Sequence, residues 1–174
     1  VHSFEPTPST FKLLNLNAGQ KSNVHLNRVA VTSGPGTVTL NDYGPSYSAF
    51  NSIYKARLPD QAGPAKPTQI QVPTISIDQY VNQENLAPNF VKIDAENADY
   101  EILTGMEDTI KIFRPIISVE VGDMGIEGVP LSKEIVRFLM EKGYQSYEHR
   151  DGNIIMHKPQ ERYEHNDLFF IPEA

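Results

Sequence analysis

The apolar run Ile116–Val121 (IISVEV) constrains the fold of this chain more than any other segment. A strand that is apolar at almost every position is typical of a parallel sheet covered on both faces, whereas a half-exposed strand alternates apolar and polar residues. Such a sheet needs helices on its faces, and helical patterns occur on both sides of the run, at Glu107–Phe113 and from Ser132 onward. The run therefore predicts a layered α/β fold.

The rest of the chain alternates between strand-like and helix-like patterns. Thr7 and Pro8 form an N-cap and first-turn pair for a helix, and Gly143 ends the helix that begins at Ser132. Strands are predicted at 1–4, 24–32, 37–40, 72–77, 90–93, 144–148, 153–157 and 167–171, and a Gly-Pro-Gly turn at 34–36 joins the second and third as a hairpin. This order predicts a mainly parallel sheet with an antiparallel C-terminal edge hairpin.

The length of 174 residues suits one domain, and we predict a single domain over residues 1–174. Periodicity disappears between residues 41 and 71, a stretch rich in Gly, Pro, Ser and Tyr, which we predict to be a long loop. A loop of that length inside a compact domain is usually functional or disordered. Its aromatic residues either close over a bound ligand or pack down on the sheet.

Charge and composition exclude several kinds of partner and chemistry. Fifteen basic residues against 22 acidic ones give a net charge of −7, the wrong sign for binding a phosphate backbone, so we predict no nucleic-acid partner. Without cysteine there is no disulfide, thiolate zinc site or cysteine nucleophile. No apolar run approaches the roughly 20 residues that span a bilayer, so we predict no membrane partner and a cytoplasmic location.

Acidic side chains follow three of the predicted strands, where ligands of an open parallel sheet bind. Glu5 follows the first strand, Asp94 and Glu96 follow Phe90–Ile93, and Glu120 lies near the end of Ile116–Val121. A carboxylate after an early strand can accept hydrogen bonds from both hydroxyls of a ribose. The pair after Phe90–Ile93 could position a hydroxyl substrate, act as general base or hold a divalent cation.

Two further groups of polar residues have simpler interpretations. Asp99 and Glu101 fall in the first turn of a helix, where the helix dipole favours negative charge. His149, His157 and His165 recur at eight-residue steps that match no helical metal-binding motif, so we expect surface positions. We predict no metal site.

Several motifs occur in an order that is typical of one family. They are FEP at 4–6, the loop serines Ser46, Ser48 and Ser52, TISIDQYV at 74–81, VKIDAENADYEILTGM at 91–106, RPIISVEV at 114–121 and DLFFIP at 167–172. The ordered set spans nearly the whole chain and resembles the FkbM-type methyltransferases. The resemblance implies a Rossmann-like methyltransferase sandwich that uses S-adenosylmethionine as cofactor. It also implies a small-molecule substrate, with O-methylation of a hydroxyl on a sugar or small natural product.

The resemblance further implies roles for individual residues. The cofactor would be bound by Glu5 at its ribose, by Thr32 and Ser33 near its adenine, and by Asp94 near the transferred methyl group. The catalytic set would be Asp94, Glu96 and Glu120, with Asp94 or Glu120 as general base. The loop would contact the substrate through Tyr43, Tyr47 and Ser48.

The chain departs from the family pattern in two places. Asn97 stands where the family usually has glycine, and Asn tolerates the left-handed backbone that glycine adopts. The glycine-rich turn after the first strand of the family would precede Val1, so we expect an N-terminally incomplete sheet. The residues are also compatible with two other functions. One is a catalytically inactive binding or interaction module, and the other is a carboxylate-dependent metal hydrolase. The oligomeric state is open as well.

Overall fold

The computed structural model describes residues 1–55 and 66–173, which form three β-sheets and their connecting helices. In chain order the elements are β1 (His2–Phe4), α1 (Pro8–Ala18), β2 (His25–Asn27), β3 (Ala30–Val31), β4 (Gly36–Asp42), a 3₁₀ helix (Pro45–Phe50), β5 (Thr68–Ile75), α2 (Ile77–Gln83), β6 (Phe90–Ile93), α3 (Asp99–Thr104), α4 (Glu107–Phe113), β7 (Ile116–Val121), α5 (Ser132–Glu141), β8 (Tyr144–Arg150), β9 (Asn153–Met156) and β10 (Asn166–Pro172).

The largest sheet has the strand order β6-β7-β10-β8-β9. Strands β6 and β7 are parallel, whereas β10 runs antiparallel to both of its neighbours, β7 and β8. The smaller sheets are the parallel pair β1-β2 and the three-stranded β3-β5-β4. The predicted α/β, Rossmann-like sandwich with an antiparallel C-terminal edge hairpin is confirmed. Its five-stranded sheet is mixed rather than mainly parallel, with β6-β7 as the parallel pair.

Strand β7 lies inside the largest sheet, as its apolar sequence predicts. Ile117 and Val119 are fully buried, and they join a core cluster that includes Leu103 and Met106 from the α3 region, Leu139 from α5 and Phe170 from β10. Ser118, which lies on the opposite face of the strand from Ile117 and Val119, is buried as well, so both faces of β7 are covered. Among the described residues no helix is both long enough and apolar enough to cross a membrane.

The predicted hairpin between residues 24–32 and 37–40 is wrong. Residues 24–32 divide into β2 and β3, which belong to different sheets. Strand β4 pairs antiparallel with β5, and β3 pairs parallel with the end of β5 through Val31 and Ile75. A small separate core of Ala30, Leu40 and Val72 forms where the three strands meet, and its burial favours this pairing over a local hairpin.

The loop predicted for residues 41–71 is ordered at both ends. Strand β4 continues to Asp42, the 3₁₀ helix Pro45–Phe50 follows, and β5 begins at Thr68. Asn41 and Ser52 form an antiparallel bridge that closes the segment between them. Residues 56–65 of the predicted loop lie outside the described residues.

Candidate active site

A cavity of about 200 Å³ lies where the parallel strands β6 and β7 reach their carboxyl ends. Its polar wall contains Glu96 and Asp99 after β6, Glu120 in β7 and His165 before β10. Its other wall is apolar and includes Phe50, Met124, Ile126, Val129 and Ile135. A cavity with one apolar wall and a few convergent polar groups is the usual form of a small-molecule site.

The sheet register brings the predicted catalytic carboxylates together. Ile93 is paired with Val119, so Asp94 and Glu120 each follow a paired residue on neighbouring parallel strands. Asp167 of β10 is paired with Glu120 from the other side. Lys92 Nζ lies 2.8 Å from Asp94 Oδ2 and 3.9 Å from Asp167 Oδ1, which partly balances the row of negative charge.

The pKa values of Asp94 and Glu120 are shifted in opposite directions. The hydrogen bond from Lys92 lowers the pKa of Asp94, and a hydrogen bond from Glu120 adds to this effect. Burial raises the pKa of Glu120 to about 8, and the hydrogen bond and negative charge of Asp94 act in the same direction. Asp94 is therefore ionised at neutral pH, while Glu120 keeps a proton that it donates to Asp94.

Two further carboxyl groups that line the cavity also have raised pKa values. Burial raises the pKa of Glu96 to about 7, with a contribution from the charge of Asp94. Burial likewise raises the pKa of Asp99 to about 6, although the backbone N–H of Ala95 opposes the shift. Asp99 Oδ1 accepts that hydrogen bond at 3.0 Å, so Asp99 holds the turn before α3 as well as lining the cavity. The helix-dipole interpretation of Asp99 missed its place in the cavity.

The turn that presents Glu96 has an unusual backbone. Glu96 and Asn97 have φ angles of 48° and 78°, in the left-handed region that favours glycine. Asn97 is thus tolerated where the family usually has glycine. The hydroxyl of Ser52 donates to the carbonyl oxygen of Glu96 at 2.5 Å and holds the turn from the long loop. Strained backbone that neighbouring groups hold in place is common at functional sites.

The loop contacts the cavity through different residues from those predicted. Phe50 and Ser52 line it, whereas Tyr43, Tyr47 and Ser48 do not belong to its lining. The Tyr47 ring packs beside Phe50 with centroids 6.5 Å apart, which leaves Phe50 as the aromatic residue at the cavity. Because side chains of an irregular segment follow no period, the sequence alone did not distinguish these positions.

Further hydrogen bonds connect residues 51–54 of the loop to the neighbouring elements. Asn51 Nδ2 donates to Thr7 Oγ1 at 3.3 Å, close to Glu5 in the chain. The Tyr54 hydroxyl donates to Glu101 Oε1 in α3, which gives Glu101 a role other than helix-start charge. The loop thereby links the carboxyl end of β1 to the turn after β6.

The predicted cofactor residues lie at two strand ends. Glu5 follows β1 and is half-buried, and its Oε1 accepts a hydrogen bond from the backbone N–H of Thr7 at 2.6 Å. Thr32 is buried and its hydroxyl donates to the carbonyl oxygen of Gly34 at 3.0 Å, whereas the adjacent Ser33 is exposed. Of this turn, Ser33 is the residue whose side chain is accessible to a ligand.

Gly105 allows that turn to pack against the end of α3. A Cβ atom at Gly105 would lie 2.3 Å from the carbonyl oxygen of Thr32 and 2.9 Å from the Cα of Ser33, both backbone atoms. Gly105→Ala is therefore expected to displace the turn and to lower the free energy of unfolding by about 1–3 kcal/mol. Urea denaturation measures this change.

Gly34→Ala is the matched control for the Gly105 variant. No atom lies within 4 Å of a Cβ at Gly34, and the residue is outside the left-handed region. Its effect on unfolding is expected to stay within about 0.5 kcal/mol. Equal effects of the two substitutions would show that the close approach at Gly105 is unimportant.

The histidines predicted at the surface divide into three environments. His149 is exposed, as predicted. His157 is buried, which corrects the prediction, because its Nδ1 lies 2.6 Å from Glu148 Oε2 and its Nε2 3.2 Å from the Tyr163 hydroxyl. His165 is exposed, but it lines the cavity and its Nδ1 lies 2.5 Å from Glu120 Oε1. Within the described residues no group of three or more acidic or histidine side chains is arranged to hold a metal ion.

The raised pKa values predict how stability depends on pH. Glu96, Asp99 and Glu120 bind protons more tightly in the folded chain than in the unfolded chain. Their stabilising contribution is complete below their unfolded pKa values and is lost as the pH rises through the folded ones. The free energy of unfolding is therefore expected to fall between about pH 5 and about pH 8.

Glu120→Gln tests the origin of this slope. Gln does not ionise, so the variant gains stability relative to the natural protein as the pH rises. Urea denaturation at several pH values in that window measures both slopes. A slope that the substitution leaves unchanged would contradict the assignment to Glu120.

Comparisons with known proteins concern the family and the fold. The family model described as the methyltransferase FkbM domain matches residues 1–146. The hexuronic acid methyltransferase AglP of Haloferax volcanii is 27% identical over 143 residues, which cover 81% of this chain and 53% of that protein. The chain thus spans about half the length of this relative.

A solved structure shows the same fold. The crystal structure of methyltransferase FkbM from Methylobacillus flagellatus KT matches with a TM-score of 0.55 at 14% sequence identity. The match covers 98% of this chain and 36% of that chain. At this identity the likeness concerns the fold alone.

Proposed function

Because the chain belongs to the FkbM methyltransferase family, we propose that it transfers a methyl group from S-adenosylmethionine to a hydroxyl group of a sugar. The observation that carries this proposal is the set of carboxyl groups around the cavity at the ends of β6 and β7. Glu96, Asp99 and Glu120 line this cavity, and Asp94 follows β6, the strand next to that of Glu120. Perturbed carboxyls that converge on a cavity are typical of sites that bind and orient polar substrates.

The residues at the strand ends suit this cofactor. S-adenosylmethionine, when bound, supplies a methyl group on a positively charged sulfur and leaves as a neutral thioether. Glu5 would accept hydrogen bonds from the ribose hydroxyls, since its contact with Thr7 uses only part of the acceptor capacity of a carboxylate. The exposed Ser33 would lie near the adenine, and the ionised Asp94 would face the positively charged end. Thr32 would support the adenine contact by holding the turn.

The charge of the cavity favours a neutral acceptor group. Glu96, Asp99 and Glu120 line the cavity, with the ionised Asp94 beside them. A carboxylate placed among these groups would meet the negative charge of Asp94 at short range, whereas a hydroxyl can donate hydrogen bonds to the carboxyl groups. We therefore propose methylation at a hydroxyl oxygen rather than formation of a methyl ester.

A sugar acid is the first acceptor class to test. The relative from Haloferax volcanii is named for a hexuronic acid, and a second cavity of about 410 Å³ shares His165 with the first. Arg150 and Arg162 line this second cavity and could bind the carboxylate of such a sugar. The apolar Phe50 of the first cavity would pack against the sugar ring, with Tyr43, Tyr47 and Ser48 of the loop behind it.

Two measurements test the proposal. Isothermal titration of the natural protein with S-adenosylhomocysteine is expected to show saturable binding at one site. Incubation with labelled S-adenosylmethionine and glucuronate is expected to label the sugar with a methyl ether that resists mild alkali. Release of the label by alkali would identify an ester and contradict hydroxyl methylation.

The alternative is a catalytically inactive binding module that keeps the fold. It predicts that Asp94→Ala and Glu5→Ala leave the biological activity of the protein unchanged. An absence of S-adenosylhomocysteine binding to the natural protein would favour this alternative and overturn the proposed function.

A further inference from the structure

His165 and Glu120 form a close polar contact at the wall of the cavity. Nδ1 of His165 lies 2.5 Å from Oε1 of Glu120. The two residues meet because β10 begins immediately after His165 and pairs with β7, with Asn166 opposite Val121. Gly122 follows Val121, and a Cβ there would lie 3.5 Å from the His165 Cα, so the two chains approach closely at this point.

This contact determines which nitrogen of the ring is available. Oε1 of Glu120 lies 2.5 Å from Nδ1, so the carboxyl group of Glu120 occupies that side of the ring. Nε2 lies on the opposite side of the ring from Glu120, and in a neutral imidazole with its proton on Nδ1 this nitrogen carries the lone pair. The His165 side chain is 78% exposed while lining the cavity, so Nε2 is open to an incoming ligand.

Neither of the two carboxyls predicted as bases suits the removal of a hydroxyl proton. The contact with Lys92 lowers the pKa of Asp94, which makes its carboxylate a weak base. Glu120 already carries a proton at neutral pH, because its pKa is raised to about 8. An imidazole ring, in contrast, is the side chain that most often acts as a general base.

We infer that His165 is the general base of the methyl transfer and that Glu120 is its positioning residue, an inference that rests on the proposed function. The acceptor oxygen forms a bond to the methyl carbon as the carbon–sulfur bond breaks, and the electron pair of that bond stays on sulfur. The hydroxyl proton passes to Nε2 of His165. The single negative charge that Asp94 and Glu120 share stabilises the resulting imidazolium.

Alanine substitution with chemical rescue tests this role. In the natural protein, His165→Ala is expected to lower kcat by about 10²-fold and to leave the Kd for S-adenosylhomocysteine within about two-fold. Added imidazole is expected to restore part of the lost kcat, because the exposed position leaves room for the free base. Glu120→Gln is expected to lower kcat by about 10-fold or more, since Gln cannot share the negative charge.

His149→Ala is the matched control, because His149 is an exposed histidine of β8 that lines neither cavity. Its kcat is expected to equal that of the natural protein. Retention of kcat within about three-fold by His165→Ala, or a loss that imidazole does not rescue, would overturn the inference. If the natural protein itself fails to bind S-adenosylhomocysteine, the proposed function is overturned. The role of His165 as general base is then overturned as well.

Discussion

Asp94→Asn is expected to lower kcat/KM for methyl transfer by about 10²–10³-fold. The substitution preserves the size of the side chain but removes its charge. It therefore breaks the 2.8 Å ion pair with Lys92 and removes the ionised acceptor of the Glu120 proton. Preorganised charge next to the reacting atoms is one of the largest contributions to catalysis. Initial rates with labelled S-adenosylmethionine measure the change.

Asp108→Asn provides the control for Asp94→Asn. Asp108 is an exposed acidic residue in the first turn of α4, and it lines neither cavity. Its substitution removes one negative charge from the protein without altering the site, so kcat/KM is expected to stay the same. If Asp94→Asn retains kcat/KM within about three-fold, Asp94 has no role in the reaction.

Phe170→Ala is expected to lower the free energy of unfolding by about 3–5 kcal/mol. Phe170 is fully buried in β10, opposite Ile117 of β7 and Ser146 of β8. Removing its ring leaves a cavity that the surrounding sheet cannot close. Since a domain of this size is stable by only about 5–15 kcal/mol, the variant loses a large share of its stability. Urea denaturation at pH 7 measures the loss.

Ile171→Ala in the same strand separates core packing from strand propensity. Ile171 points away from Phe170 along the pleat and is 37% exposed. Its substitution is expected to cost about 1 kcal/mol, the usual cost for a partly exposed position. Equal losses for the two variants would show that β10 contributes through its backbone pairing rather than through the buried ring.

Local patterns were sufficient for much of the fold. The apolar run Ile116–Val121 predicted a buried strand, and the bounds of β7 agree with it. The same is true of α4 and β6, whose ends carry clear boundary residues such as Pro115. Leu103-Thr104-Gly105 was one part of the ordered set of motifs that indicated the family, and the structure gives a physical reason for its glycine in the close approach of the Thr32 and Ser33 backbone.

The pairing of strands that are far apart in the chain could not be predicted from local patterns. The sequence suggested that residues 24–32 and 37–40 form a hairpin because only a short turn separates them. Strand β4 instead pairs with β5, since burial of Leu40 against Val72 depends on all three strands of that sheet. The place of Asp99 and His165 in the cavity also depends on contacts between residues far apart in the chain.

The sequence by itself determined the family, most of the order of strands and helices, and the position of Asp94, Glu96 and Glu120 near strand ends. These features depend on the period of side chains and on short motifs, which are local properties of the chain. The tertiary structure alone decided which carboxyl keeps a proton, which histidine meets Glu120 and which loop residues reach the cavity. Those outcomes depend on desolvation and on distances between strands, which arise only when the sheets are assembled.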